Sequence, residues 1–329
     1  MIPYGLNEAG LPETVRRLGH TPPMLRLRQV GMNCGCEYTD FPRFRALAPY
    51  SRYEHSIGVA ALIWRYTGSL RETVAGLFHD VATPVFAHTV DFLNGDYLVQ
   101  ESTEGPTERI IRGSAEILSL LEKTGLSVDE VKDYHRYPVA DNDSPRLSCD
   151  RLEYTLGNLC NFGFRTPEEI RPYWEDLTVV KAEDGLPELA FLNRETALAF
   201  ATDALKCSRI YISPEDRYAM QRLSEVLSLA IKKGVLTEAM LLLTEPEVIA
   251  RLEADEETAA AWAAYRRLKH MLPAPEAADH PGRRRIPAKR RYIDPLVRGE
   301  GRLSEIDEGF CREKERFLAT DLDTPVCGE

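Results

Sequence analysis

The chain has 329 residues, 43% of them hydrophobic and 28% charged, and a formal net charge of −11. That balance is that of a globular protein able to bury one large core, or a main domain with a smaller attachment. The negative charge weighs against a general nucleic-acid binder, because an acidic surface repels a phosphate backbone.

Residues 51–68 place Ile57, Ala60, Ala61 and Trp64 on one helical stripe, and 70–81 do the same with Val74, Leu77, Phe78 and Val81. Pro84 stands where another helix can open, carrying His88 and Asp91 on neighbouring turns. Helical spacing resumes over 106–124 through Ile110, Ile111, Ala115, Ile117, Leu118 and Leu121, and stops at Gly125. Pro145 opens a helix with Asp150 and Tyr154 four residues apart on one face. The period then changes: Leu177–Val180 and Leu189–Leu192 flank Glu183-Asp184-Gly185 as a β-hairpin. Residues 193–271 return to helical spacing, with Pro214 and Pro246 near helix starts. Leu272 to Gly282 reads as a linker, followed by the basic clusters Arg283–Arg285 and Lys289–Arg291 and a strand from Tyr292 to Val297. The expected fold class is all-α, with a small β-hairpin and a short C-terminal strand. It divides into a core over 1–180, a helical continuation over 181–272, and a last segment, 273–329, of linker, basic strand and C-terminal helix.

No apolar run reaches the length of a membrane span, and Met1–Gly5 lacks the basic start of a signal peptide. Seven cysteines, an odd number without a pairing framework, are expected to be reduced thiols in the cytoplasm. Cys34-Gly35-Cys36 has no second pair and reads as a loop.

Chemistry concentrates in three places: His55 within Arg52–Ser56, the pair His79-Asp80, and Asp150 within Cys149–Tyr154. Two imidazoles with two carboxylates form a mixed nitrogen and oxygen set suited to one divalent ion (Mn, Fe, Zn, Ni or Mg), with positions left for water and a phosphate oxygen. Any one of these histidines alone reads more simply as a core residue satisfied by a carboxylate; the four together favour metal. Arg52 and Arg151, beside the ligands, are placed to clamp phosphate oxygens, a reading that stands ahead of a surface helix salt bridge for each. Tyr154 can hydrogen-bond a phosphate or sugar, or pack its ring in the core. His88 and Asp91, at i and i+3, form a candidate acid–base pair. His88 with His135 as ligands of a second metal is the less favoured alternative.

The spaced His, His-Asp, Asp pattern resembles the HD superfamily of metal-dependent phosphohydrolases. The segments Leu25–Gly31, Ser51–Val59, Leu77–Asp80 with Phe86–Asp91, and Asp150–Tyr154 resemble, in order, stretches of the deoxynucleoside triphosphate triphosphohydrolases (the dGTPase-like enzymes). Arg291–Val297 looks like a C-terminal strand of those proteins. The resemblance implies His55, His79, Asp80 and Asp150 as metal ligands, deoxyribose contacts from Gln29 and Val30, and a nucleotide or other phosphate-ester substrate. It departs at two points. Thr83 stands where a histidine is common, and Thr107-Glu108 stands where those enzymes carry a catalytic His-Glu pair. Glu108 is then a catalytic candidate or a carboxylate complementing a helix start. The leading expectation is a phosphohydrolase. The alternative is a catalytically weak nucleotide-binding or regulatory module, supported by Thr107. A homo-oligomer is expected as well, and the basic segment reads as a solvated strand edge or oligomer contact before a nucleic-acid site.

Overall fold

The computed structural model describes residues 8–90, 104–273 and 280–329. Among them are sixteen α-helices and one four-stranded sheet, the helical class expected. Three helices set the site. Helix α1 (Arg52–Thr67) opens with a capping box in which the Ser51 hydroxyl accepts from Glu54 N and Glu54 reaches back to Ser51 N, which satisfies two orphan donors. It closes at Gly68, left-handed with φ 62°. Most of α1 is buried on all sides, so it forms the centre of the molecule. Helix α2 (Leu70–Phe78) packs across it at Gly76, where an added Cβ would sit 2.2 Å from the Ile63 side chain. Helix α3 (Cys149–Asn161) packs on another side of α1 and is capped by Ser148, whose hydroxyl accepts from Arg151 N at 3.2 Å.

Several expected boundaries differ. The 106–124 stretch is two helices, Glu104–Gly113 and Ala115–Thr124, because Ser114 caps the second. Pro145 does not open α3; loop residues separate it from Cys149. No helix starts at Pro84. Residues 85–88 form turns with Phe86 and Ala87 in left-handed backbone, and helical geometry begins only at Thr89. Tertiary contacts override the local signal there: Val85 N donates to Leu241 O at 2.8 Å, and Val85 and Phe86 are fully buried. Asp91 lies outside the described residues.

The hairpin forms as drawn, with β1 (Leu177–Lys181) antiparallel to β2 (Pro187–Phe191). The C-terminal strand shrinks to β3 (Leu296–Val297), parallel to β2 and paired to β4 (Gly301–Arg302). Arg302 forks onto the buried Glu188 at 2.6 and 2.7 Å, which fastens this hairpin to β2. Two hydrophobic clusters make up the interior. The first gathers α1, α2, α3 and the sheet. The second is built around helix α4 (Pro214–Lys232), with Phe44, Phe86, Trp262 and Tyr265.

Candidate metal centre and cleft

His55 sits one turn into α1, His79 and Asp80 follow the last residue of α2, and Asp150 is in the first turn of α3. Their ligand atoms converge. His55 Nε2 lies 3.1 Å from His79 Nε2, 3.1 Å from Asp150 Oδ1 and 3.8 Å from Asp80 Oδ2. His79 Nε2 lies 3.6 Å from Asp80 Oδ2 and 3.8 Å from Asp150 Oδ1. Donors bonded to one ion at about 2.0–2.2 Å stand roughly 3.0–3.5 Å apart, so this set is already near the size of a metal shell. His55, His79 and Asp80 form a group able to hold an ion.

Hydrogen bonding supports the same fit. His79 Nδ1 is 2.7 Å from Gly76 O, which can only accept, so Nδ1 carries the proton. His55 Nδ1 contacts the Glu153 carboxylate, which also accepts from the Tyr50 hydroxyl at 2.6 Å. In their neutral forms both rings therefore present bare Nε2 lone pairs to one another, an arrangement that repels unless a cation lies between them. Burial alone would lower the pKa of His55, but Glu153 and Asp150 outweigh it and push it up to about 10. Asp80 is held well below the usual carboxylate range: Arg52 and His79 overcome its burial. Asp150 is likewise held low by His55 and His79 against its own burial.

The residues around this centre divide by what they touch. Arg52 donates to Asp80 Oδ2 at 2.9 Å, and the Thr83 hydroxyl to Asp80 Oδ1 at 2.6 Å. Thr83, at the position where the resemblance anticipates a histidine, thus orients the Asp80 carboxylate. Arg151 reaches Asp141 at 3.1 Å and donates to Arg146 O and Asn142. The ring of Tyr134 lies 4.9 Å from that of His79, and its hydroxyl 3.5 Å from Asp150 Oδ2.

The centre lines a cleft of about 740 Å³ whose walls include Arg52, His88, Thr107, Glu108, Arg151 and Tyr154. Glu108 is half-buried, with its carboxylate bonded to Arg112 Nε at 2.7 Å and Lys132 Nζ at 2.9 Å, contacts that favour its charged form. Gln29 is exposed and Val30 fully buried, and neither borders the cleft. Their segment acts on the site through its backbone: Arg52 N donates to Val30 O at 2.8 Å. The basic segment differs most from expectation. Its first cluster holds an isolated bridge, Arg284 to Val326, and its second lies outside any strand: Ala288–Tyr292 run as irregular backbone along the cleft and put Lys289, Arg290 and Arg291 in its wall. Buried Ile286 and Ile293 anchor the two ends, and Asp294 N donates to Pro145 O at 2.8 Å.

Sequence reasoning missed Glu153, Tyr50, Asp141 and this strap. Glu153 carried one readable signal. Gly58, three residues beyond His55, is the only residue type that leaves room for it, since an added Cβ would lie 2.4 Å from Glu153 Oε1. Among the described residues no helix is long and apolar enough to cross a membrane.

No family profile matches this chain. It is 30% identical over 208 residues to the uncharacterized protein YdhJ of Bacillus subtilis, covering 63% of this chain and 62% of that one. It is 27% identical over 169 residues to the metal-dependent phosphohydrolase cns2 of Cordyceps militaris, covering 50% and 46%. The chain thus spans less than two thirds of the length of either relative. In three dimensions it is similar to a hypothetical protein from Aquifex aeolicus, with TM-score 0.61, 19% identity and coverage of 92% and 89%, which establishes a shared fold.

Proposed function

We propose that the protein is a metal-dependent phosphohydrolase acting on a nucleotide, a deoxynucleoside triphosphate or a related phosphate ester. The observation that carries this reading is the convergence of His55, His79, Asp80 and Asp150 at the wall of a cleft that also holds six cationic side chains. Similarity to a protein named metal-dependent phosphohydrolase supports it. His55, His79, Asp80 and Asp150 would hold a divalent ion, which when bound would supply Lewis acidity for attack by water. The chain's own residues do the rest. Arg52 and Arg151 set positive charge beside the phosphorus, and Lys289 and Arg291 extend it along the strap. Tyr154 borders the same space as a hydrogen-bonding group for phosphate or sugar. His88, which follows the left-handed turn at Phe86 and Ala87, is the proposed proton donor to the leaving group. Glu108, charged and tied to Lys132, contributes a fixed negative charge at the rim.

The test is a panel of nucleotides and p-nitrophenyl phosphate incubated with metal-loaded protein, reading phosphate, pyrophosphate and triphosphate. Release from at least one substrate is the expected result; none at all moves the protein to the binding-module reading, for which Thr107 in the cleft wall is the supporting feature. In that event Thr107→His becomes the informative variant.

Two further outcomes follow from the walls. His88→Ala should lower turnover by roughly 10²- to 10⁴-fold with metal content intact. His135 offers the comparison, its Nε2 3.4 Å from Asp141 Oδ2 in the same cleft: if His135→Ala carries the loss and His88→Ala does not, the donor has been misassigned. The double variant Lys289→Ala, Arg291→Ala should weaken binding of inorganic tripolyphosphate, since each charge-assisted contact is worth about 1.5–3 kcal/mol. Calorimetry showing wild-type affinity would remove the strap from phosphate recognition.

A further inference from the structure

The cleft lies between the two hydrophobic clusters, and its two sides differ in chemistry. The first side carries the ligand set. The second presents Phe44 and Met220, with Phe162 and Cys34 packed against the same cluster. Two polar groups border this apolar part. Asn158 is 6% exposed, and its Oδ1 is buried without a hydrogen-bond partner among the described residues, while its Nδ2 donates to the Tyr211 hydroxyl at 2.7 Å. Asp216, one helical turn before Met220 on α4, has the Cys36 thiol at 3.9 Å as the hydrogen-bond partner of its carboxyl among the described residues. Burial pushes that carboxyl up to about 8. Asn158 Oδ1 is the buried acceptor here, and leaving one without a donor costs about 1–3 kcal/mol. Asp216 is half-buried, with only the weak thiol donor at its carboxyl among the described residues, and polar groups of this kind on a cavity wall are where a ligand's donors are expected.

Their placement relative to the metal centre is fixed by α3. Asp150, Tyr154 and Asn158 follow at i, i+4 and i+8, so they form a stripe along one helix face, and all three line the cleft. Eight residues of helix advance about 12 Å, close to the span from a nucleotide's phosphate to the far side of its base.

We propose that the apolar part of the cleft receives the leaving group of the phosphate ester, and that Asn158 and Asp216 are specificity-determining residues selecting a leaving group that presents N–H donors, as an amino-substituted heterocycle does. The proposal rests on the phosphohydrolase reading for the words leaving group; the subsite itself rests on the cavity. A nucleic-acid strand is disfavoured as occupant by the chain's net charge of −11.

The experiment is titration calorimetry of the metal-loaded full chain with adenosine, guanosine, cytidine and purine riboside, the last lacking any amino group on its ring. At least one amino-bearing nucleoside should bind roughly tenfold or more tightly than purine riboside. Asn158→Leu and Asp216→Leu should each bring that preference to within about twofold, while Asp216→Asn, which keeps an acceptor oxygen, should retain most of it. Wild-type protein that does not distinguish purine riboside from the other three overturns the proposal, and that comparison needs no variant to fold. A preference that survives both leucine variants overturns the residue assignment. Failure of the phosphohydrolase reading looks different: no phosphate release from the panel above, with the nucleoside preference intact.

Discussion

Asp150→Ala protein is expected to purify with less than about a tenth of the metal bound by wild type, while keeping its fold. The carboxylate stands 3.1 Å from His55 Nε2 and 3.8 Å from His79 Nε2, so it supplies a ligand that no neighbour can replace. Removing it disturbs little else: its remaining contact is the Tyr134 hydroxyl at 3.5 Å, and alanine suits the first turn of a helix. The obvious companion, Asp80→Ala, is a poorer test. Asp80 also compensates the buried Arg52, whose Nε already lacks a partner, and accepts from Thr83. Leaving that guanidinium unpaired in the interior costs about 3–5 kcal/mol, so the double variant His79→Ala, Asp80→Ala should melt well below wild type as well as lose metal. Elemental analysis beside thermal melting separates the two effects. Stoichiometric metal in folded Asp150→Ala protein would dissolve the proposed centre.

The convergence of His55, His79, Asp80 and Asp150 was readable because each lies in, or directly at the end of, a helix whose spacing was visible: His55 in α1, His79-Asp80 after α2, Asp150 opening α3. Once those helices pack on a shared core, the polar residues at their adjoining ends have few places to go. The hairpin was readable for the same local reason, a period of two flanking a turn. What escaped was set by contacts distant in sequence. Pro84 reads as a helix start, yet Val85 and Phe86 are drawn into the second core and Val85 N is taken by Leu241 O, from a distant part of the chain. The strap at 288–292 looks like a solvated edge because its charge is plain and its anchors are not. Ile286 and Ile293 are single apolar residues in a polar run, and only the tertiary structure shows that each enters a different core. Glu153 was overlooked beside Asp150 and Tyr154 because a glutamate in a helix is ordinarily a surface residue; room for it depends on the absent side chain at Gly58, and room for its partner Tyr50 on the one absent at Gly157.

Glu153→Gln is expected to weaken metal binding by about 10- to 100-fold, although Glu153 touches no metal site directly. Its carboxylate takes the His55 Nδ1 proton and the Tyr50 hydroxyl, and those two bonds fix both the tautomer and the ring orientation of a ligand. The amide would keep one acceptor oxygen for these two contacts, both made to Oε2, and its NH₂ group would replace Oε1 in a pocket with 0% exposure. Loss of the negative charge also makes His55 a weaker base toward a cation. Gly58→Ala tests the same contact without altering any polar group: its Cβ would lie 2.4 Å from Glu153 Oε1 and 2.7 Å from Cγ, so the carboxylate must swing off His55. Both variants should therefore show the same defect, read as a metal dissociation constant by chelator competition, and both should melt lower than wild type. Wild-type metal affinity in Glu153→Gln, with only stability reduced, would mean that the carboxylate fills a polar hole in the core and does not tune the centre.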